Sequence, residues 1–146
     1  CCFSERFDNI LMWSHYANNH KGYCLEFSTE TSTFFEVYAS KVLYSNRYPT
    51  IKIFDSTQSI SLVSEIQRLL YTKAKDWEYE AEWRLLREQP GIDNFPQECL
   101  IGIILGCRMA SDDEKQIREM NEKRSTPLII KKAKLNSKEY KIDIIE

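Results

Sequence analysis

From Lys73 to Leu86 the chain reads Lys-Ala-Lys-Asp-Trp-Glu-Tyr-Glu-Ala-Glu-Trp-Arg-Leu-Leu, a run that few folds can accommodate. It holds two of the three tryptophans, glutamates at alternate positions (Glu78, Glu80, Glu82) and Arg84, directly before an apolar pair. Indole and phenol rings favour burial with the polar tip satisfied, whereas carboxylates resist burial unless paired. Interleaving the two predicts a strand edge lining a cleft. If the segment is extended from Glu78 onward, Glu78, Glu80, Glu82 and Arg84 share one face, while Tyr79, Ala81, Trp83 and Leu85 share the other. One face is then ionic and the other apolar.

The rest of the chain must supply the support for that edge. Its 146 residues suffice for one domain, residues 1–146, that buries most of its apolar surface. Twenty Lys and Arg against 22 Asp and Glu give a net charge of -2, which lacks the basic footprint of a nucleic-acid binder. The five cysteines are odd in number and lack the paired short spacing of a zinc site. They read as free, buried thiols of a cytoplasmic protein. No stretch is long and apolar enough to span a membrane, and no signal peptide is recognisable.

Periodicity predicts an α+β fold: a mixed, mostly antiparallel sheet of about six strands with about three helices. Cys1 to Ser4 reads as a strand end, and Asp8 as the N-cap of a helix over Asn9–Ala17. Gly22 serves as a helix stop before a strand at Tyr23–Phe27. Thr29 to Thr33 reads as a turn and Tyr38–Tyr44 as a strand. Ile60, Val63, Ile66, Leu69 and Leu70 mark a helix within Thr57–Lys75. Leu100–Gly106 is a central strand, Ser111–Glu114 a capping box opening a helix to about Lys123, and the chain closes on a hairpin of two strands.

Two stretches resemble the signatures of an uncharacterised bacterial family, domain of unknown function 2971. The first is Met12-Trp13-Ser14-His15-Tyr16-Ala17 with His20-Lys21-Gly22, and the second is Trp77-Glu-Tyr79-Glu80-Ala-Glu82-Trp83-Arg84. Cys2-Phe3-Ser4-Glu5 and Ile104-Leu105-Gly106 match as well. The resemblance implies no settled activity. It does imply an upstream segment, with an aromatic strand and an Asn-Asp-Pro turn, ahead of the place where this chain begins.

The pair Glu80 and Glu82 is also similar to the layout of ADP-ribosyltransferase-like folds, in which a glutamate stabilises positive charge developing on the nicotinamide ribose. That likeness implies NAD as a substrate in a toxin or phage-defence effector, acting on a nucleotide or a protein target. Glu82 is then the catalytic carboxylate, Glu80 its helper and Arg84 their electrostatic partner. Trp13, His15, Tyr16 and Trp77 complete the ligand-contacting set. The rival is a non-catalytic nucleotide- or peptide-binding module in which Glu80 and Glu82 pair with Arg84, Lys73 or Lys75 for structural reasons. A third reading makes Asp76, Glu80 and Glu82 ligands of a Mg²⁺-dependent nuclease, against which the negative net charge counts. His15 and His20 would be five residues apart on a helix, on different faces, which does not suit a metal. Ser14 lacks the glycine elbow of a hydrolase nucleophile.

Overall fold

The computed structural model describes residues 1–30, 34–50, 62–87, 91–92 and 94–146. In chain order its elements are β1 (Cys2–Ser4), α1 (Ile10–Tyr16), β2 (Tyr23–Phe27), α2 (Phe34–Tyr38), β3 (Ala39–Lys41), β4 (Leu43–Ser45), α3 (Leu62–Leu70), β5 (Thr72–Ala74), β6 (Glu82–Leu85), β7 (Leu100–Leu105), α4 (Ser111–Glu122), β8 (Ile129–Leu135) and β9 (Ile142–Ile145). Short 3₁₀ helices occupy Lys75–Glu80 and Gln97–Cys99. The class is α+β with mixed sheets, and no described helix is long and apolar enough to cross a membrane.

The chain divides into two compact units. The first comprises Cys1–Glu5 and Tyr38–Gln89, and the second Arg6–Val37 and Pro90–Glu146. In the first, β6 is the middle strand of an antiparallel sheet β1-β6-β3, and β4 pairs with β5 in parallel. The Tyr38–Tyr44 strand expected from sequence is in fact two strands. Val42, buried, separates them and donates its amide to the Glu82 carbonyl at 2.9 Å. Its neighbour Leu43 bonds instead to the Tyr71 carbonyl at 2.7 Å, so β3 and β4 join different sheets. The expected Thr57–Lys75 helix is observed as α3, which ends at Leu70 and gives way to β5; residues 57–61 lie outside the described set. So do residues 31–33 of the expected turn.

In the second unit the sheet order is β2-β7-β8-β9, with β7 and β8 parallel and the other pairs antiparallel. Trp13 and Ala17 of the α1 region pack with Ile104, Ala133 and Ile142 to form its core. The Trp13 indole N–H donates to the Phe7 carbonyl at 2.7 Å, satisfying its one polar atom. The cap of α1 is Asn9 rather than Asp8: its side-chain oxygen accepts from the amides of Leu11 and Met12 at 2.9 and 3.3 Å. The Asp8 carboxylate pairs with Arg6 at 3.2 Å, while its backbone carbonyl accepts from the Ile142 amide at 2.9 Å.

The capping box expected at Ser111–Glu114 does not form. Ala110 is the cap residue, and Glu114 reaches Arg118 at 2.8 Å and Lys132 on β8 at 2.5 Å. Two long cationic side chains compete better for a carboxylate than one backbone amide. The turn from α4 to β8 is closed by Asn121, whose amide group bonds both the carbonyl and the amide of Leu128, at 2.9 and 2.8 Å. All five cysteines are free, as expected, but only Cys99 is buried; Cys1 and Cys2 are exposed.

Candidate functional site

Alternation along Glu78–Arg84 does not survive in three dimensions. Residues 75–80 coil into the 3₁₀ helix, and β6 starts only at Glu82. Between them Ala81 adopts a left-handed conformation, with φ 44°, a geometry that costs a residue bearing a Cβ roughly 1 kcal/mol or more. Its neighbours explain why it is held. The Ala81 carbonyl accepts from the Glu5 amide at 3.2 Å, the Glu80 carbonyl accepts from Ser4 Oγ at 2.6 Å, and the Glu82 amide donates to the Tyr44 hydroxyl at 2.8 Å.

The consequence is that both carboxylates point inward. Glu80 is 2% exposed and Glu82 5%. Burial at this level is tolerable only with compensating charge, and the first unit supplies it from two strands. Lys73 on β5 donates to Glu80 and, at 2.8 Å, to Glu82 Oε2. Arg84 grips Glu82 from two nitrogens, Nε to Oε1 at 2.6 Å and Nη2 to Oε2 at 3.1 Å, while its Nη1 donates to the Leu70 carbonyl. The Arg84 fork is the bidentate geometry that suits a carboxylate.

Burial alone would push the Glu82 carboxyl up. Hydrogen bonds from Arg84, Lys73 and Cys2 outweigh it and hold the pKa down to about 2. The reciprocal effects are present: burial opposes the Lys73 charge, but the bonds to Glu80 and Glu82 raise its pKa above the ordinary value. Burial and the bond to Glu82 raise the Cys2 thiol, so it is not a thiolate nucleophile.

Because the folded pKa of Glu82 is depressed, its contribution to stability is fully present above its ordinary value of 4.5 and is lost as pH falls through about 2. That difference corresponds to about 3 kcal/mol. Urea unfolding midpoints should therefore decline over this acid window, and the Glu82-dependent part of the decline should vanish in Glu82→Gln.

A carboxylate ionised throughout the neutral range is neither a proton donor nor a base strong enough to remove one there. What Glu82 offers is fixed negative charge. The position between Glu80 and Glu82 that a cation would take is filled by the Lys73 ammonium, and Asp76 is exposed. Among the described residues no group of three His, Cys, Asp or Glu is arranged to hold a metal ion.

Trp77 sits on the outside of the 3₁₀ helix, 38% exposed, with the Lys73 ammonium 5.2 Å from its ring centroid and the Tyr79 ring 5.9 Å away. The other residues expected to contact a ligand belong to the second unit. Trp13 is core; His15 and Tyr16 are exposed at the end of α1, with ring centroids 6.3 Å apart.

His20, which the sequence excludes only as a metal ligand, stands out in that unit. His20 is 6% exposed, and its Nε2 lies 2.9 Å from Ser14 Oγ. It ends a run of three left-handed residues, Asn18, Asn19 and His20, with φ of 47°, 53° and 68°. The run reverses the chain after α1 so tightly that the His20 amide returns to the Trp13 carbonyl at 3.1 Å. Adjacent asparagines were the available signal, since they accept left-handed backbone at low cost. Burial, and secondarily the charge of Arg108, lowers the His20 pKa from its ordinary 6.5.

Comparison with curated proteins and with solved structures returned no match. A family model described as a protein of unknown function, DUF2971, matches residues 12–85, half of the chain. The match contains both Met12–Ala17 and Trp77–Arg84, the two stretches that build the sites above. The chain therefore belongs to the DUF2971 family.

Proposed function

We propose that the first unit is a non-catalytic binding module in which Glu80, Glu82, Lys73 and Arg84 are the framework and Trp77 is the contact. The observation that carries this reading is the saturation of Glu82: both its oxygens are clamped by cations, and its pKa near 2 removes it from acid–base work. The framework holds the 3₁₀ helix so that an exposed indole is presented on a rigid support, an arrangement suited to recognition.

The ligand class follows from charge. Lys73–Arg84 carries four acidic side chains (Asp76, Glu78, Glu80, Glu82) against three basic ones (Lys73, Lys75, Arg84). With Glu80 and Glu82 buried against Lys73 and Arg84, the exposed charges are Asp76 and Glu78 against Lys75. Such a surface disfavours a polyphosphate and suits a peptide that brings an apolar or aromatic side chain to Trp77 and a basic one to Asp76 or Glu78. A nucleotide would have to bind through its ring alone.

One observation favours a second reading. Glu82 is a permanently ionised, preorganised carboxylate, the type of group that stabilises an oxocarbenium-like centre. In that reading the protein is an NAD-using ADP-ribosyltransferase-like toxin or defence effector of the bacterial cytoplasm, and Arg84 must release Glu82 when substrate binds.

Calorimetric titration with NAD and with a basic–aromatic peptide library separates the two. The binding-module reading expects peptide binding that weakens at least tenfold, about 1.4 kcal/mol, in Trp77→Ala, with no nicotinamide released from NAD. Nicotinamide release that disappears in a folded Glu82→Gln variant would overturn it in favour of the transferase.

A further inference from the structure

We propose that Ser14 and His20, in the second unit, form a nucleophile–base pair able to take acyl groups from activated esters. Three observations meet at His20, and each is unusual for a residue whose only task is packing. Its Nε2 is within hydrogen-bond reach of a serine hydroxyl, at 2.9 Å, the relation that defines an activated nucleophile. Its backbone is left-handed, φ 68°, at the end of a run of three such residues; strained backbone clusters where a side chain must be held for a task. Its Nδ1 is buried without a hydrogen-bond partner, a rare state for a buried polar atom. Ser14 itself is half-buried and thus reachable from solvent.

The surroundings suit a neutral imidazole. Burial and the positive charge of Arg108 both disfavour the imidazolium, so the ring is available to accept the Ser14 proton at neutral pH. Backbone hydrogen bonds hold the main chain that carries the ring: the His20 carbonyl accepts from the Arg108 amide at 3.0 Å, and the Gly22 carbonyl from the Gly106 amide at 2.8 Å. The same features set the substrate class. With no carboxylate on Nδ1, the imidazolium formed by proton transfer gains little stabilisation, so the pair is a weak one compared with a triad. It can act on esters with a good leaving group and not on amides.

In the reaction, Ser14 Oγ bonds to the acyl carbon while its proton passes to His20 Nε2. The ester C–O bond breaks, and the leaving oxygen takes that proton, or departs as a stabilised anion while the imidazolium gives the proton to solvent, so that His20 is neutral again. Water then attacks the acyl-serine, His20 accepts its proton and returns it to Ser14 Oγ, and the acid is released. Ester and water become acid and alcohol, with no oxidant or cofactor.

The test uses the full chain and p-nitrophenyl acetate, following nitrophenolate release and locating any acetyl group by peptide mass mapping. The expected result is acetylation of Ser14 or continuous release. Either is lost in Ser14→Ala, slowed about 100-fold or more in His20→Gln, and diminished as pH falls through the His20 pKa, which burial and Arg108 hold below its ordinary 6.5. Circular dichroism establishes that each variant is folded. If His20→Gln does not fold, the pH profile of the wild-type chain decides, because a rate that ignores His20 titration overturns the pairing. Acetyl groups on lysines alone, no reaction of the folded wild type, or equal rates in Ser14→Ala and wild type would each overturn the proposal.

Discussion

Gly106→Ala is expected to cost roughly 3–5 kcal/mol and to leave little folded second unit at physiological temperature. A Cβ at this position would lie 2.2 Å from the His20 carbonyl oxygen and 2.6 Å from that of Gly22. Both obstacles are backbone, so neither can swing aside as a side-chain tip would. Moving them breaks the Gly106–Gly22 and Arg108–His20 hydrogen bonds, at 2.8 and 3.0 Å, which fasten the turn after α1 to the end of β7. Gly102 is a contrast on the same strand. The atom nearest its added Cβ is Glu26 Oε2, at 2.5 Å. That is the end of a flexible side chain, which bonds Lys131 at 2.8 Å. Gly102→Ala should accordingly lose less. Urea denaturation of the two variants measures the difference, and equal midpoints for Gly106→Ala and wild type would contradict the clasp described here.

Glu82→Gln is expected to lose about 3 kcal/mol at neutral pH, near the lower end of what breaking a buried ion pair costs. The loss arises less from the missing attraction than from Lys73 and Arg84, which would be left beside a neutral amide while still partly shielded from water. Because both cations keep about a fifth of their side-chain surface exposed, solvent moderates the penalty. Adding Lys73→Met to Glu82→Gln should cost less than the sum of the single changes, since each removes part of the other's interaction. Simple additivity in this double-mutant cycle would mean that the pair is not coupled.

The glutamates, Arg84 and their structural partners could be read from sequence because opposite charges beside tryptophans demand pairing wherever they are buried. Lys73 was among the partners so expected. The contributions of Cys2 and Tyr44 could not, since they come from strands distant in the chain and carry no local pattern. The helix at Ile10–Tyr16, the strand Leu100–Leu105 and the closing pair β8 and β9 follow their apolar periodicity closely. The failures have physical causes. Thr72–Ala74 continues a helical stripe, and only its parallel partner β4 makes it a strand. The left-handed Ala81 has no sequence signal at all, because alanine has no preference for that conformation; hydrogen bonds to its neighbours impose it. Single Pro- and Gly-free runs such as Tyr38–Tyr44 conceal a change of sheet for the same reason.

The ionisation of Glu82 is the quantity on which the account rests. Carbon-detected NMR titration of the glutamate side-chain carboxyls in the full chain reads it directly, with Glu82→Gln providing the assignment. A Glu82 midpoint near 2 is the result expected of a carboxylate clamped by Arg84 and Lys73. A midpoint at or above its ordinary 4.5 would contradict the clamp and return Glu82 to the set of groups able to handle a proton.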